Sequence, residues 1–481
     1  MPTPTIVWFR KDLRLSDNPA LHAAVARAEP VLCLFVLDDA VDGALPVGGA
    51  AKWWLHHSLT HLSRALEEIG GRLILRSGPA SKIVPDLAQE TGAGAVYWNR
   101  CYEPDAIARD KALKTDLNGA GVDACSFNGS LLYEPWEVKT KAGGAFGVFT
   151  PFWKAERALG DPPAPVAAPK SLDTFAGDWG GESLSDWNLL PTRPNWAKAF
   201  SDHWQPGEEG ARVRLGEFLD DVVATYSDTR NSPAVDGTSR LSPHLAFGEL
   251  SPREVWHLSL EEARRSPSKE SGIWSFLREI GWRDFNHNLL FNNPDIPAEN
   301  YNRKFDAFPW QKDDDAFDAW CRGRTGYPMV DAGMRELWQT GFMHNRVRMV
   351  AASFLIKHLL IDWRAGEAWF RDTLLDADLA NNTTNWQWVA GSGADAAPFF
   401  RIFNPIGQGE KFDPDGRYVR RWVPEIADLP DKYLMKPWEA PEDMRREAGI
   451  ELGETYPRPL VDHAKARARA LEAYEEVKGA A

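Results

Sequence analysis

Between Thr5 and Phe127 the chain repeats one pattern: a short unbroken apolar run, then a stretch with helical spacing. The runs are TIVWF at Thr5–Phe9, VLCLFVL at Val31–Leu37, RLILR at Arg72–Arg76, AVYWN at Ala95–Asn99 and VDACSF at Val122–Phe127. Helix patterns fall between them at Pro19–Arg27, Gly49–Ile69, Ser81–Glu90 and Ala106–Leu117. A strand needs continuous apolarity when both of its faces are covered, and parallel strands joined by crossover helices are covered in that way. The pattern predicts βαβ units and an α/β fold with a doubly wound parallel sheet.

The pattern stops near Tyr133. GDPPAPVAAPKS and LLPTRPNW are proline-rich and carry no period, so 133–205 is expected to be a linker wrapping the domains. Beyond it the spacing is helical, at Arg212–Tyr226, Pro252–Ala263, Gly272–Leu290, Ala316–Cys321, Val330–Thr340 and Arg346–Leu360. Ser251, Pro252 and Glu254 make a start signal: a capping serine, a proline at the first helical position and a glutamate to close the box. A chain of 481 residues exceeds one ordinary core. The expected organisation is an α/β domain over 1–132, the linker, and an all-α domain over 206–481.

The apolar runs break within about ten residues and no charged-then-apolar leader opens the chain, so neither a membrane span nor a signal peptide is expected. Cys33, Cys101, Cys125 and Cys321 show no CxxC spacing. That argues against a disulfide framework, a zinc site or an iron–sulfur cluster; no metal is expected, and a reducing cytoplasm fits. The formal charge of -14 argues against a protein that coats nucleic acid by charge alone. A local basic patch is still available, because Arg401, Lys411, Arg417, Arg420 and Arg421 cluster, with Arg346 upstream.

Four constellations carry chemistry. In DGTSRLSPHLAFGELSP, Thr238, Ser239 and Ser242 offer hydroxyls, Arg240 a cation, and the following helix its first amides, which together suit an anion. A capped helix after a loop would use the same residues. No Walker or GxGxxG fingerprint is present. In WSFLREIGWRDF, Glu279, Trp282 and Arg283 share a helix face, suited to stacking and hydrogen-bonding a base or to a plain surface ion pair. In HNRVRMVAASFL, Asn345, Arg348, Met349 and Ala352 share a face with Arg346 turned away. A buried Arg348 would need a carboxylate, and Asp376 or Asp378 could supply it, with Asn382 on the same face as Asp378. The chain holds 22 tryptophans, and seven lie between Trp310 and Trp388, beside this polar segment. Trp386 and Trp388 are two apart and point in separate directions on a helix, so separate tasks are expected of them.

Read in order, these stretches resemble the photolyase/cryptochrome flavoprotein family, as do the opening VWFRKDLRLSDNPAL, TGYPMVDAGMREL, FMHNRVRM and FRIFNP. The resemblance spans nearly the whole chain. It implies an antenna-bearing α/β domain and an all-α C-terminal domain that holds FAD. By position, Tyr226, Thr238, Ser239, Arg240, Leu241 and Ser242 would hold the FAD phosphates and sugar. Asn345, Arg348, Asp376, Asp378 and Asn382 would surround the isoalloxazine, with Arg348 paired to Asp376 and Asn382 beside N5. Trp386, Trp363 and Trp310 match an electron relay running outward from the flavin.

The activity implied is light-driven repair of cyclobutane pyrimidine dimers in UV-damaged DNA, as in bacterial enzymes of the class I or III type. Excited reduced flavin gives an electron to a flipped-out dimer, the ring splits, and the electron returns. Glu279, Asn345, Met349, Asn382 and Trp388 would act on the dimer, and Trp282, Arg283, Arg346 and Arg401 would meet the DNA. A (6-4) photolyase would carry histidines where Asn345 and Met349 stand. A cryptochrome photoreceptor commonly extends past its flavin domain, whereas this chain ends with LEAYEEVKGAA. Phe276 stands where many relatives have Trp, and Asn385 where many have Gly. WNRCYEP at Trp98–Pro104 favours 5,10-methenyltetrahydrofolate as antenna over 8-hydroxydeazaflavin, with Glu137 and Phe149 as candidate contacts. A monomer acting on nucleoid DNA in the cytoplasm is expected.

Overall fold

The computed structural model describes residues 3–38, 45–177, 179–396 and 401–479. The chain forms two compact units, Met1–Ala224 with Ser239–Pro294 and Leu375–Ala380, and Thr225–Thr238 with Asp295–Leu374 and Asn381–Ala481.

In the first unit, five strands form one sheet: β1 (Thr5–Phe9), β2 (Val31–Leu37), β3 (Leu73–Ser77), β4 (Ala95–Asn99) and β5 (Asp123–Phe127). They are parallel throughout, in the order β3-β2-β1-β4-β5. Side chains alternate across the sheet, so each strand feeds two cores. Val7, Phe9, Cys33, Phe35 and Tyr97 pack on one side with Leu55, Leu59, Leu62 and Leu66 of the helix Gly49–Glu68. Ile6, Trp8, Leu34, Val96 and Trp98 pack on the other with Val84, Leu87, Leu113 and Leu117. Two-sided burial is why these strands read as continuous apolar runs.

The turn after β1 is a frame of buried charge. Arg14, 1% exposed, donates to the carbonyls of Ser16, Asp17, Gly129 and Gly248. Gly248 sits at φ +65 with the place of a Cβ 2.0 Å from the Lys11 carbonyl, so only glycine fits there. Arg253 clamps Asp17 in a fork, Nε to Oδ2 at 3.0 Å and Nη2 to Oδ1 at 2.8 Å, both groups buried.

Three expectations change. The stretch expected to be periodless contains a helix, Phe149–Ala158, held by Phe149 and Phe152 against Phe285 of the helix Glu270–Asn292. Ser251 does cap its helix, accepting from the Arg253 amide, but Glu254 does not close the box. Its carboxylate accepts instead from Ser16 Oγ and Arg212, a stronger use of a buried charge. The helix expected over Arg212–Tyr226 is Glu208–Glu217 followed by the π-turn Phe218–Val222; Gly272 of the neighbouring helix leaves room for the Val223 carbonyl, 1.8 Å from where a Cβ would lie.

The second unit is helical. Its framework includes Asp314–Cys321, Pro328–Thr340, Asn345–Ser353, Trp363–Thr373, Pro405–Phe412 and His463–Gly479. The helix expected over Arg346–Leu360 widens into a π-turn at Phe354–His358 and ends with Leu360 left-handed at φ +56. Among the described residues, no helix is long and apolar enough to cross a membrane.

Candidate functional site

In the first unit the Ser-Arg-Leu-Ser loop at 239–242 is shaped by Arg240, left-handed at φ +51. The Ser239 carbonyl accepts from Arg214 Nε at 2.9 Å, and its Oγ accepts from the Leu241 amide at 3.4 Å. Leu241 is buried, so the backbone is what it can offer a ligand. Ser242 opens a helix of five residues and donates from Oγ to Asp376 Oδ2 at 2.6 Å. The loop expected to bind an anion and the first of the two expected acids are thus joined.

Asp378 is buried, with an oxygen 3.5 Å from His287 Nε2. Burial alone would raise its carboxyl, but His287, Lys11 and Arg283 outweigh burial and hold it well below the usual carboxylate range. It is a permanent anion at neutral pH. The sequence reading missed Lys11 and His287. His287 lies four residues after Arg283 on the same helix face, a spacing that could have found it; Lys11 had only its place in the opening motif.

Further along that helix face, Trp282 is half-buried and stacks flat on Phe149, centroids 3.7 Å apart at 10°. Arg283 donates to the Ser130 carbonyl and lies 3.9 Å from Asp284, so its guanidinium is engaged inside the unit. Glu279 is half-buried. Asp284 accepts from the amides of Leu132 and Tyr133, and burial pushes it up to about 6. Its neighbour Glu156 is pushed well above its usual value by burial and then by Asp284, so the two carboxyls cannot both stay ionised near neutral pH. Phe149 and Glu137, the candidate antenna contacts, have packing tasks: Phe149 is 1% exposed under Trp282, and Glu137 accepts from the Glu134 amide at 2.7 Å. Phe276 is buried against Phe218, centroids 4.6 Å apart.

In the second unit, the helix Asn345–Ser353 starts from His344, whose Nδ1 accepts from the Arg346 amide at 3.2 Å. Asn345 is exposed, and Arg348 and Met349 are half-buried. Arg348 Nε donates to the Met343 carbonyl at 2.7 Å and its guanidinium lies over Phe342. Arg346 donates from Nη2 to Asn231 Oδ1 at 2.7 Å and rests over Phe412 at 4.4 Å. Burial, then the charges of Arg401 and Arg230, lower its pKa, so the three arginines act on one another electrostatically. Arg230, whose guanidinium also lies 5.2 Å over Tyr226, was not anticipated; its distance along the chain from Arg346 hid it.

Asn382 donates from Nδ2 to the Glu367 carbonyl at 3.1 Å and to Glu367 Oε1 at 2.8 Å. Both amide hydrogens are committed, so the group presents its oxygen, an acceptor for an N–H. Trp386, 2% exposed, meets Phe370 edge-on at 5.0 Å and Trp320 at 6.2 Å, and its buried indole N–H has no acceptor among the described residues. Trp363 is fully buried and donates to Asn300 Oδ1 at 3.0 Å. Trp310 is half-buried against Phe308 at 4.3 Å. Trp388 is half-buried where Trp386 is enclosed, as their two-residue spacing requires. Asn385 is exposed and donates to the Asn381 carbonyl at 2.8 Å. Thr238 is half-buried.

Comparison with known proteins identifies the family. The family described as DNA photolyase matches residues 5–170, and the FAD binding domain of DNA photolyase matches residues 276–476. A deoxyribodipyrimidine photo-lyase of Agrobacterium fabrum is 58% identical over 99% of this chain and 98% of that one. Cryptochrome-1 of Arabidopsis thaliana is 41% identical over 98% of this chain and 70% of that protein. The crystal structure of a bacterial class III photolyase from Agrobacterium tumefaciens superposes with a TM-score of 0.95 at 57% identity, covering 100% of this chain and 98% of that one. This chain belongs to the DNA photolyase/cryptochrome family.

Proposed function

We propose that the protein is a deoxyribodipyrimidine photo-lyase that uses light to split cyclobutane pyrimidine dimers in DNA. The observation that carries this is the 58% identity to a photo-lyase over 99% of the chain. The donor set suits FAD. Thr238, Ser239, Arg240 and Ser242 combine hydroxyls with a cation for a pyrophosphate, Asn382 presents an acceptor oxygen for a ring N–H, and Asp378 supplies a fixed negative charge. Tyr226 and Leu241 complete the phosphate and sugar side, and Asn345, Arg348 and Asp376 the ring side. Bound reduced FAD, excited by light, supplies the electron that opens the cyclobutane ring.

The chain's own residues do the rest. Asn345 and Glu279 hydrogen-bond the base edges of an extruded dimer, and Met349, Trp388 and Trp282 pack on it. Asn345 cannot titrate, which suits electron transfer without proton transfer and disfavours a (6-4) substrate. Arg346 and Arg401, with Arg230, meet phosphates, and Arg283 supports the dimer side from within its unit. Trp386, Trp363 and Trp310 form the relay that restores reduced flavin; enclosed rings followed by a half-buried one suit a path that ends at solvent. The antenna, 5,10-methenyltetrahydrofolate in preference to 8-hydroxydeazaflavin, binds the domain over 1–132, while 133–205 wraps the domains and 206–481 carries FAD and DNA. The protein acts as a cytoplasmic monomer on nucleoid DNA.

The test is a duplex carrying one thymine dimer, incubated with reduced, flavin-loaded protein in the dark and under blue light. Loss of the dimer only in the light is expected. Binding without repair in the light would make the protein a photoreceptor instead.

A further inference from the structure

Lys357 lies in the π-turn Phe354–His358, on the same run of helix as Arg346, and is 2% exposed. Its Nζ donates to the main-chain carbonyl of Arg401. Two residues on, the Phe403 amide donates to Ser353 Oγ at 3.2 Å. The segment that carries Arg401 is therefore tied at two points to the helix end that carries Arg346. Arg401 itself is exposed, its guanidinium over the buried Phe403 ring at 4.8 Å, so the two ties fix both the root of the side chain and the ring on which it rests.

We propose that Lys357 is a positioning residue for nucleic-acid binding: its buried nitrogen holds the Arg401 backbone so that Arg401 presents its guanidinium to a phosphate alongside Arg346 and Arg230. This rests on the reading that Arg401 meets phosphate. An apolar residue at 357 would fill the space but leave the Arg401 carbonyl without this donor. Burial, and then the charge of Arg401, bring Lys357 down to about 7, so near neutral pH it donates as an amine as well as an ammonium. Among the described residues, the charged groups recorded as acting on it and on its neighbouring histidine are basic. They are Arg401 on the tied segment, His358 on its own turn, and, through His358, His463 and Arg469 on the helix His463–Gly479. Both histidines are lowered by burial, which leaves the range around pH 7 to Lys357. A phosphate brought to this face favours the protonated form, so affinity should rise as pH falls from 8 to about 6.5.

The experiment measures the dissociation constant of flavin-loaded protein for a dimer-containing duplex in the dark, across salt and pH, for K357M, K357Q, R401A and the K357M/R401A pair. K357M should bind about three- to tenfold more weakly, the loss of one hydrogen bond. R401A should also lower the salt slope by about one. At pH 8, above the Lys357 pKa, the pair should bind no more weakly than R401A alone, because there Lys357 acts through Arg401. K357Q, which keeps a donor but no charge, should match the parent at pH 8 and lack the rise toward pH 6.5, and it serves if K357M does not load flavin. If R401A binds like the parent, the phosphate reading itself is wrong. If R401A is weakened but K357M is not, or if K357M adds its full effect to R401A, the role assigned to Lys357 is wrong.

Discussion

Gly366 lies in the helix Trp363–Thr373 directly under Trp386, so Gly366→Ala tests whether that ring has room to move. On propensity alone the change should stabilise an interior helical position by about 1 kcal/mol. Packing opposes this. The added Cβ would lie 2.2 Å from Trp386 Cη2, 2.6 Å from Cζ3 and 2.7 Å from Leu355 Cδ2. Ordinary carbon contacts are roughly 3.5–4.0 Å, so the indole must shift by more than 1 Å. Phe370 and Trp320 stand against the ring and oppose that shift. Overpacking of this kind costs roughly 1–3 kcal/mol and this contact belongs at the upper end, for a net loss of about 2 kcal/mol. A thermal scan of flavin-loaded protein should show a midpoint lower by about 2 °C, because the unfolding entropy of a chain of 481 residues is large. Photoreduction of oxidised flavin, followed by absorbance under blue light with an external donor, should slow if Trp386 is the first ring of the proposed relay, because that ring has moved. A raised melting midpoint would refute the argument, since it would mean that Trp386 yields freely and that helix propensity decides.

Other perturbations separate the remaining roles. Trp386→Phe should abolish photoreduction of oxidised flavin while pre-reduced enzyme still repairs dimers, both read by absorbance; loss of repair by the pre-reduced variant would remove Trp386 from the relay. Asp17→Ala leaves the Arg253 guanidinium buried without its partner and should cost about 3–5 kcal/mol in chemical unfolding, whereas a change under 1 kcal/mol would mean that water replaces the pair. Arg346→Ala should weaken duplex binding for damaged and undamaged DNA alike and reduce the salt slope by about one; a loss confined to damaged DNA would make it a lesion contact. His358 is buried neutral, brought down to about 3 by burial first and His463 next. The unfolded chain takes up the proton first, so stability is full above about pH 6.5 and is lost as pH falls toward 3. His358→Phe should flatten that acid limb in pH-dependent unfolding.

The sheet was legible because burial on both faces leaves a signal inside five consecutive residues, and β1, β2 and β4 fall where the apolar runs lie. Features that depend on a distant partner left no such signal. Glu254 sits where a capping box would use it, yet Ser16 and Arg212 take its carboxylate. The two π-turns follow from what packs against them, and helical spacing reads straight through both. The charge on Asp378 depends on His287 and Lys11, and the arginine cluster needs Arg230 beside Arg346.

The same distinction decides how far a motif can be trusted. A motif names the group that touches the ligand and is silent about what aims it. Asn382 is a match by position, but what it can do is set by Glu367, which takes both amide hydrogens and leaves the oxygen to face outward. Glu367→Ala removes the Oε1 acceptor and keeps the main-chain one, so if the carboxylate decides the orientation, the amide should turn over in part of the molecules and place a donor where an acceptor had been. Flavin would still bind, because Asn382 is one contact among several. A reduced ring N–H would then meet a donor, so the reduced form should become harder to reach. In a redox titration the flavin potential should move to more negative values, and Glu367→Gln, which keeps one acceptor oxygen for the amide, should recover part of the shift. An unchanged potential in a folded, flavin-loaded Glu367→Ala protein would mean that the main-chain carbonyl of residue 367 or the flavin itself orients Asn382, and that the carboxylate is not needed for it.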